Sequence, residues 1–320
     1  MGSEARNHHY IPQGYLRGFA TCRGEKKRQW TTHVSDFKQL RAFDVNVKSV
    51  CSQRDFNRVE IPGTDPNVIE SRMAEFESKA IEAVRRVAKS GVFEGEDATL
   101  TLNLMALLAV RSPEGREGMR AFHERVKRML LAHITASKET WDAVTGTSTE
   151  LEYEKARNFS ERGEFTVAVA REQHLRTEIQ LTEPVLESLA KRRWTVYTVD
   201  GSYGEFLTTD RPVTLSFIDP QNVPPLLRGS PGFDLLGTEI HFPLTRHSVL
   251  VGRWDKGGTA EVGNQSFVAA VNLHMLKYSY FRCFAASKNV LYHDPFTLQL
   301  YWDSNLIERY KGWTSAQGGA

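Results

Sequence analysis

The sequence predicts an α+β fold: a helical middle region packed against a mixed, mostly antiparallel C-terminal sheet. Two patterns predict it. Between about residues 65 and 193, apolar residues recur at three- and four-residue steps. From Trp194 onward, short alternating β-prone runs are divided by turn residues. Composition agrees: the 320 residues are 40% hydrophobic and 25% charged, which excludes disordered, collagenous and coiled-coil classes. A chain of this length buries enough surface for a true core. We expect one compact unit over 1–320. It comprises a mixed basic segment (1–60), a helical subdomain (61–193) and a β-rich subdomain (194–320). Sixty residues cannot form a core alone, so the first segment should pack on the other two.

In the first segment, Tyr10, Tyr15, Leu16 and Phe19 are apolar anchors around Pro12. Leu40, Ala42 and Phe43 to Val47 read as a hairpin or strand pair. In the helical zone, Asp65-Pro66 offers an N-cap followed by a first-turn proline. Ile69, Met73, Phe76, Ala80, Val84 and Val87 then form one apolar face, and Gly91 stops the helix. Asp97 is expected to cap a second helix, apolar almost all round from Leu100 to Leu108 and therefore buried. Ser112-Pro113-Glu114 starts a third, with Met119, Phe122, Val126, Met129 and His133 on one face. Ser137 opens a short helix ending at Gly146, and 149–162 is an exposed charged helix. Leu175 to Leu189 suggests one more, disturbed by Pro184. Strands are expected at 194–199, 205–208, 213–218, 239–244, 248–254 and 280–285, with a loop at 220–237 and a helix over 265–278. The tail after Ser315 should fray.

The formal net charge is +2, unevenly spread. Residues 1–60 hold eleven Lys and Arg against six Asp and Glu, a net +5, while the rest is slightly acidic. Arg17, Arg23, Lys26, Lys27 and Arg28 cluster there. Such a segment is read as a solvated loop or, because it meets phosphates by charge alone, as a contact for a nucleic-acid partner. Three cysteines form no CxxC pair, which fits reduced thiols and a cytoplasmic location. The longest strongly apolar run, Leu100 to Val110, is about half a membrane span, so no membrane association is expected.

Asn7-His8-His9-Tyr10 is the most unusual local feature. Adjacent histidines supply an acid–base imidazole or metal ligands, or they fix a turn by hydrogen bonds. Neighbours on a strand point to opposite faces, so one enters a site while the other packs. Asp55 stands close by in sequence, where a carboxylate orients an imidazole, completes a divalent-metal site with His8 and His9, caps a short helix or pairs with Arg54. Cys51 reads as a small core residue. Glu70 and Glu77, seven residues apart, share a helix side; facing inward they suit a cation, facing outward they are solvated. Arg111 ends the buried helix, poised to cap carbonyls or to bind an anion. Asp210 precedes Arg211-Pro212 and would bond its own backbone. His241 and Asn272 sit among apolar residues and need buried partners. No GxGxxG, GxxxxGK[ST], GxSxG or kinase set occurs.

The run His8-His9-Tyr10-Ile11-Pro12-Gln13-x-Tyr15-Leu16-x-x-Phe19 resembles the opening motif of a mainly microbial family known as domain of unknown function 4238. Val47 to Cys51 with Asp55-Phe56, Arg111-Ser112-Pro113, Trp194, Phe206 to Val213, Phe242-Pro243-Leu244 and Asn272 resemble it in the same order, over about 8–285. Gly14 stands where the resemblance implies a bulky aromatic. The resemblance implies no established reaction. It does imply that His8, His9, Asp55, Arg111, Asp210 and Asn272 belong to one site.

Three readings follow. The first is a hydrolase of phosphodiester bonds, nuclease-like, in a toxin or defence system: a histidine is base or metal ligand, Asp55 orients it, and arginine offsets developing charge. The second is a small-molecule enzyme of specialised metabolism. The third is a non-enzymatic binding or regulatory protein whose histidine pair is structural.

Overall fold

The structure is a computed structural model. It describes residues 7–24, 29–146, 149–163, 165–224, 227 and 231–317. The basic residues Lys26, Lys27 and Arg28 and the last three residues of the tail lie outside these. The elements, in order, are β1 (Asn7–His9), α1 (Gln13–Leu16), β2 (Thr21–Arg23), β3 (Gln29–Asp36), β4 (Arg41–Asn46), β5 (Ser52–Arg54), α2 (Val68–Ser90), α3 (Gly95–Val110), α4 (Pro113–Ile134), α5 (Lys138–Thr145), α6 (Glu150–Arg162) and α7 (Arg171–Ala190). Then follow β6 (Arg193–Thr198), β7 (Thr208–Thr209), β8 (Thr214–Phe217), β9 (Thr238–Thr245), β10 (Ser248–Arg253), β11 (Glu261–Val262), α8 (Gln265–Tyr278), β12 (Arg282–Ala285), β13 (Val290–His293), β14 (Leu300–Asp303) and α9 (Leu306–Gln317). The fold is α+β, with a helical middle and mostly antiparallel sheets.

The chain divides into two compact units, one of residues 1–112 with 177–320, the other of residues 113–176. In the larger unit, one sheet runs β11-β6-β10-β9-β8, antiparallel except for the β11–β6 pair. Its two faces follow the period of two. Ile240, Phe242, Leu244 and Leu250 face α2 and α3, where Ala80, Val84, Val87, Leu104 and Met105 complete one core. Val249 and Val251 face α8, where Val268, Val271 and Met275 complete a second. His241 therefore faces α8 as well. A second sheet centres on β3, with β4 on one edge and β2 and β12 end to end on the other.

The smaller unit holds α4, α5, α6 and the start of α7. Ser137 caps α5 by accepting the Thr140 N–H, and Thr149 with Glu152 forms a capping box on α6. The expected apolar face of α4 is only partly covered: Met119 and Val126 are half-buried, while Phe122 is 59% and Met129 67% exposed.

Several boundaries differ from the sequence reading. α2 starts at Val68, because the Asp65 carboxylate takes the Asn67 N–H and its carbonyl takes the Val68 N–H, closing a turn first. Asp97 lies within the first turn of α3 and binds Arg86 of α2 instead of capping. α7 runs through Pro184 unbroken. The strand expected at 205–208 shrinks to β7, since the Phe206 and Leu207 N–H groups go to the Arg246 carbonyl and the Asn272 side chain. β3, the β13–β14 hairpin and α9 have no counterpart in the sequence reading.

Candidate functional site

β1 pairs antiparallel with β5 in the register His8↔Gln53 and His9↔Ser52. Cys51 and Asp55, either side of β5, both adopt left-handed backbone (φ 53° and 56°), so the chain bends sharply at each end of this short ribbon. The two histidines point to opposite sides of it, and only His8 is fully buried.

On the His8 side is a buried polar network. His8 Nδ1 accepts the Asn57 N–H at 2.9 Å, which leaves the ring proton on Nε2. Asn57 Nδ2 donates to Glu70 Oε2 at 2.7 Å. Two turns along α2, Glu77 Oε1 accepts from Arg111 Nη2 at 2.6 Å, and Arg111 Nη1 lies 2.8 Å from Met73 Sδ. Glu70 and Glu77 thus face inward. Burial raises the Glu77 pKa, and the Arg111 guanidinium opposes that rise. Asn57 Oδ1, Asp55 Oδ1 and Arg111 Nε are buried with no hydrogen-bond partner.

On the other side, His9 Nε2 lies 3.3 Å from the Lys48 carbonyl oxygen, and Nδ1 lies 3.5 Å from Gln13 Nε2. The carbonyl is only an acceptor, so Nε2 carries the proton and Nδ1 the lone pair. Partial burial pulls the His9 pKa below 6.5, outweighing its bond to Lys48. The ring is neutral at pH 7.

Lys48 also lines a pocket of about 510 Å³, within the ~300–1,000 Å³ range of small-molecule sites. Arg17 reaches it from the turn after α1, Trp30 from β3, Asn46 from the end of β4, Arg85 from α2 and Thr245 from the end of β9. Among the described residues no Asp or Glu lines it. None of its three cations pairs with a carboxylate among the described residues. Arg85 has one long bond, to the Gly14 carbonyl at 3.4 Å, and the Arg17 Nε is buried without a partner. The close packing of α1 on α2 accounts for Gly14: an added Cβ would lie 2.7 Å from Ile81 Cδ1.

The chain belongs to the DUF4238 family. The family's model, described as protein of unknown function, matches residues 7–294 and so spans both the His8 network and the pocket. No curated protein and no solved structure matches the chain.

Within this DUF4238 chain, the residues implied as one site take different places. Asp55 bonds neither histidine; its Oδ2 lies 3.5 Å from Arg54 Nε and its carbonyl takes the Arg58 N–H. Among the described residues no three His, Cys, Asp or Glu side chains converge to hold a metal ion, so the expected ligand set of His8, His9 and Asp55 is not assembled. Strand alternation separates the two imidazoles, and the bend at Asp55 ends the ribbon. Arg111 Nη2 and Nη1 are directed to Glu77 and Met73. The Asp210 carboxylate accepts the N–H groups of Tyr280, Phe281 and Arg282 at 2.7–2.9 Å, which clamps the start of β12. Asn272 accepts from the Leu207 N–H and donates to the Glu205 and Leu291 carbonyls, tying two segments to α8. Cys22, Cys51 and Cys283 form no disulfide, and Cys51 lies in the core. Among the described residues no helix is long and apolar enough to cross a membrane. The sequence reading missed Trp30 and Arg85. Each lies on an element whose other residues pack normally, and no local spacing marks either.

Proposed function

We propose that this chain hydrolyses phosphodiester bonds in the manner of a nuclease, binding phosphate in the cationic pocket and using His9 as the base. The observation that carries this reading is a pocket where, among the described residues, three cations pair with no carboxylate and no acid lines the wall, and where Lys48 holds His9 through its carbonyl. Arg17, Lys48 and Arg85 offset the charge on a phosphodiester and on its transition state. His9 Nδ1 takes a proton from water as the water oxygen bonds to phosphorus. The bond from phosphorus to the leaving oxygen breaks, and solvent protonates that oxygen. The Lys48 carbonyl orients the ring and supports the imidazolium that forms. The His8 network holds β1 and the 55–57 bend together beneath it.

The test uses the full chain with a bis-aryl phosphodiester and short oligonucleotides. His9→Ala should lower kcat/KM by about 10²–10⁴-fold at unchanged Tm. The wild-type rate should fall with acidification only below pH 6.5, because a lowered pKa keeps His9 a free base above that value. Equal rates for wild type and variant would sink the mechanism. A binding protein without turnover is the second reading, favoured because His9 adjoins the pocket without lining it. Phosphate binding with no hydrolysis would establish that one.

A further inference from the structure

We infer that the pocket takes a single nucleotide, with its phosphate against Arg17, Lys48 and Arg85 and its base against Trp30. This shares its pocket with the reading above but does not need hydrolysis. Charge alone calls only for an anion. Trp30 adds an aromatic surface suited to a planar ring: it lines the pocket and packs partly buried against the main core. Base–aromatic stacking tolerates any base, because each has a π-face. Asn46 adds a polar edge. Its Oδ1 is spent on the Lys48 N–H, and its Nδ2 has no partner among the described residues, which leaves a donor for a base or sugar oxygen. The volume of about 510 Å³ suits one such ligand. The walls come from five separate segments that converge on one open pocket, whereas a longer strand is tracked by a continuous charged groove.

The experiment is calorimetric titration of the full chain with adenosine and cytidine 5′-monophosphates, ribose 5-phosphate and inorganic phosphate. The nucleotides should bind at least about tenfold tighter than ribose 5-phosphate, the gap that stacking supplies. Trp30→Leu keeps apolar bulk against the core and should shrink the gap to within about twofold, whereas Trp30→Phe should retain most of it. Arg85→Ala, at an exposed site, should weaken all four ligands and flatten their salt dependence. Ribose 5-phosphate binding as tightly as the nucleotides, or no binding by wild type, would overturn the inference. So would a gap unchanged in a folded Trp30→Leu protein. Nucleotide binding without hydrolysis would leave the inference standing and remove the catalytic reading. His9-dependent hydrolysis without base preference would do the reverse.

Discussion

Arg111 and Glu77 show how a single charged side chain is committed. The guanidinium is fully enclosed and Glu77 is nearly so, so each needs the other. Removing one partner from such a pair costs about 3–5 kcal/mol, while replacing both with apolar groups of similar volume is close to neutral. Glu77→Leu should therefore destabilise strongly in urea unfolding, and Arg111→Met/Glu77→Leu should recover most of the loss. Equal destabilisation by single and double variants would refute the pairing. An arginine ending a buried helix is visible in sequence. Which group satisfies it is not, because Glu77 lies 34 residues away. Asp210 and Asn272 teach the same lesson: their partners, at Tyr280 to Arg282 and at Glu205, Leu207 and Leu291, are distant in sequence.

At the scale of elements, the β9–α8 contact holds a second consequence. His241 of β9 and His274 of α8 lie with ring centroids 4.3 Å apart. Arg253, Lys277, Arg211, Glu239, Tyr278 and Ser216 surround them. Burial, then Arg253, pushes His241 down to about 3, and burial, then His241, pulls His274 well below 6.5. Below pH 6.5 the unfolded chain binds protons that the folded pair refuses. Stability should be level with respect to these groups above 6.5 and fall on acidification toward about 3. Each refused proton contributes a slope approaching about 1.4 kcal/mol per pH unit. Urea unfolding at pH 7 and pH 5 should show a smaller difference in His241→Phe/His274→Phe than in wild type. An unchanged difference would remove the pair as its source. The elements themselves were legible where a cap or an apolar period marked them, as Ser112-Pro113 marks α4, Ser137 marks α5 and the spacing over 265–278 marks α8. They were illegible where polar runs such as Gln29–Asp36 form a strand only because β2, β4 and β12 pair with it.

For the whole molecule, charge is a matter of place. The net +2 is too small to hold a polyanion by itself. Retention on a polyanion column should therefore depend on the pocket. Arg17→Ala/Lys48→Ala/Arg85→Ala takes the formal net from +2 to −1 and should elute at markedly lower salt with unchanged Tm. Elution at the wild-type salt concentration would place the binding elsewhere, for instance on the basic run at Lys26 to Arg28. The sequence by itself determined the α+β class, the helical middle, the basic N-terminal zone and the family motif, because these depend on periodicity, composition and near neighbours. Only the tertiary structure decided that His8 is spent on a backbone N–H, that Glu70 and Glu77 face inward, and that Arg17, Trp30, Lys48 and Arg85 meet around one cavity. Those outcomes depend on which distant segments pack together, and no local spacing encodes that choice.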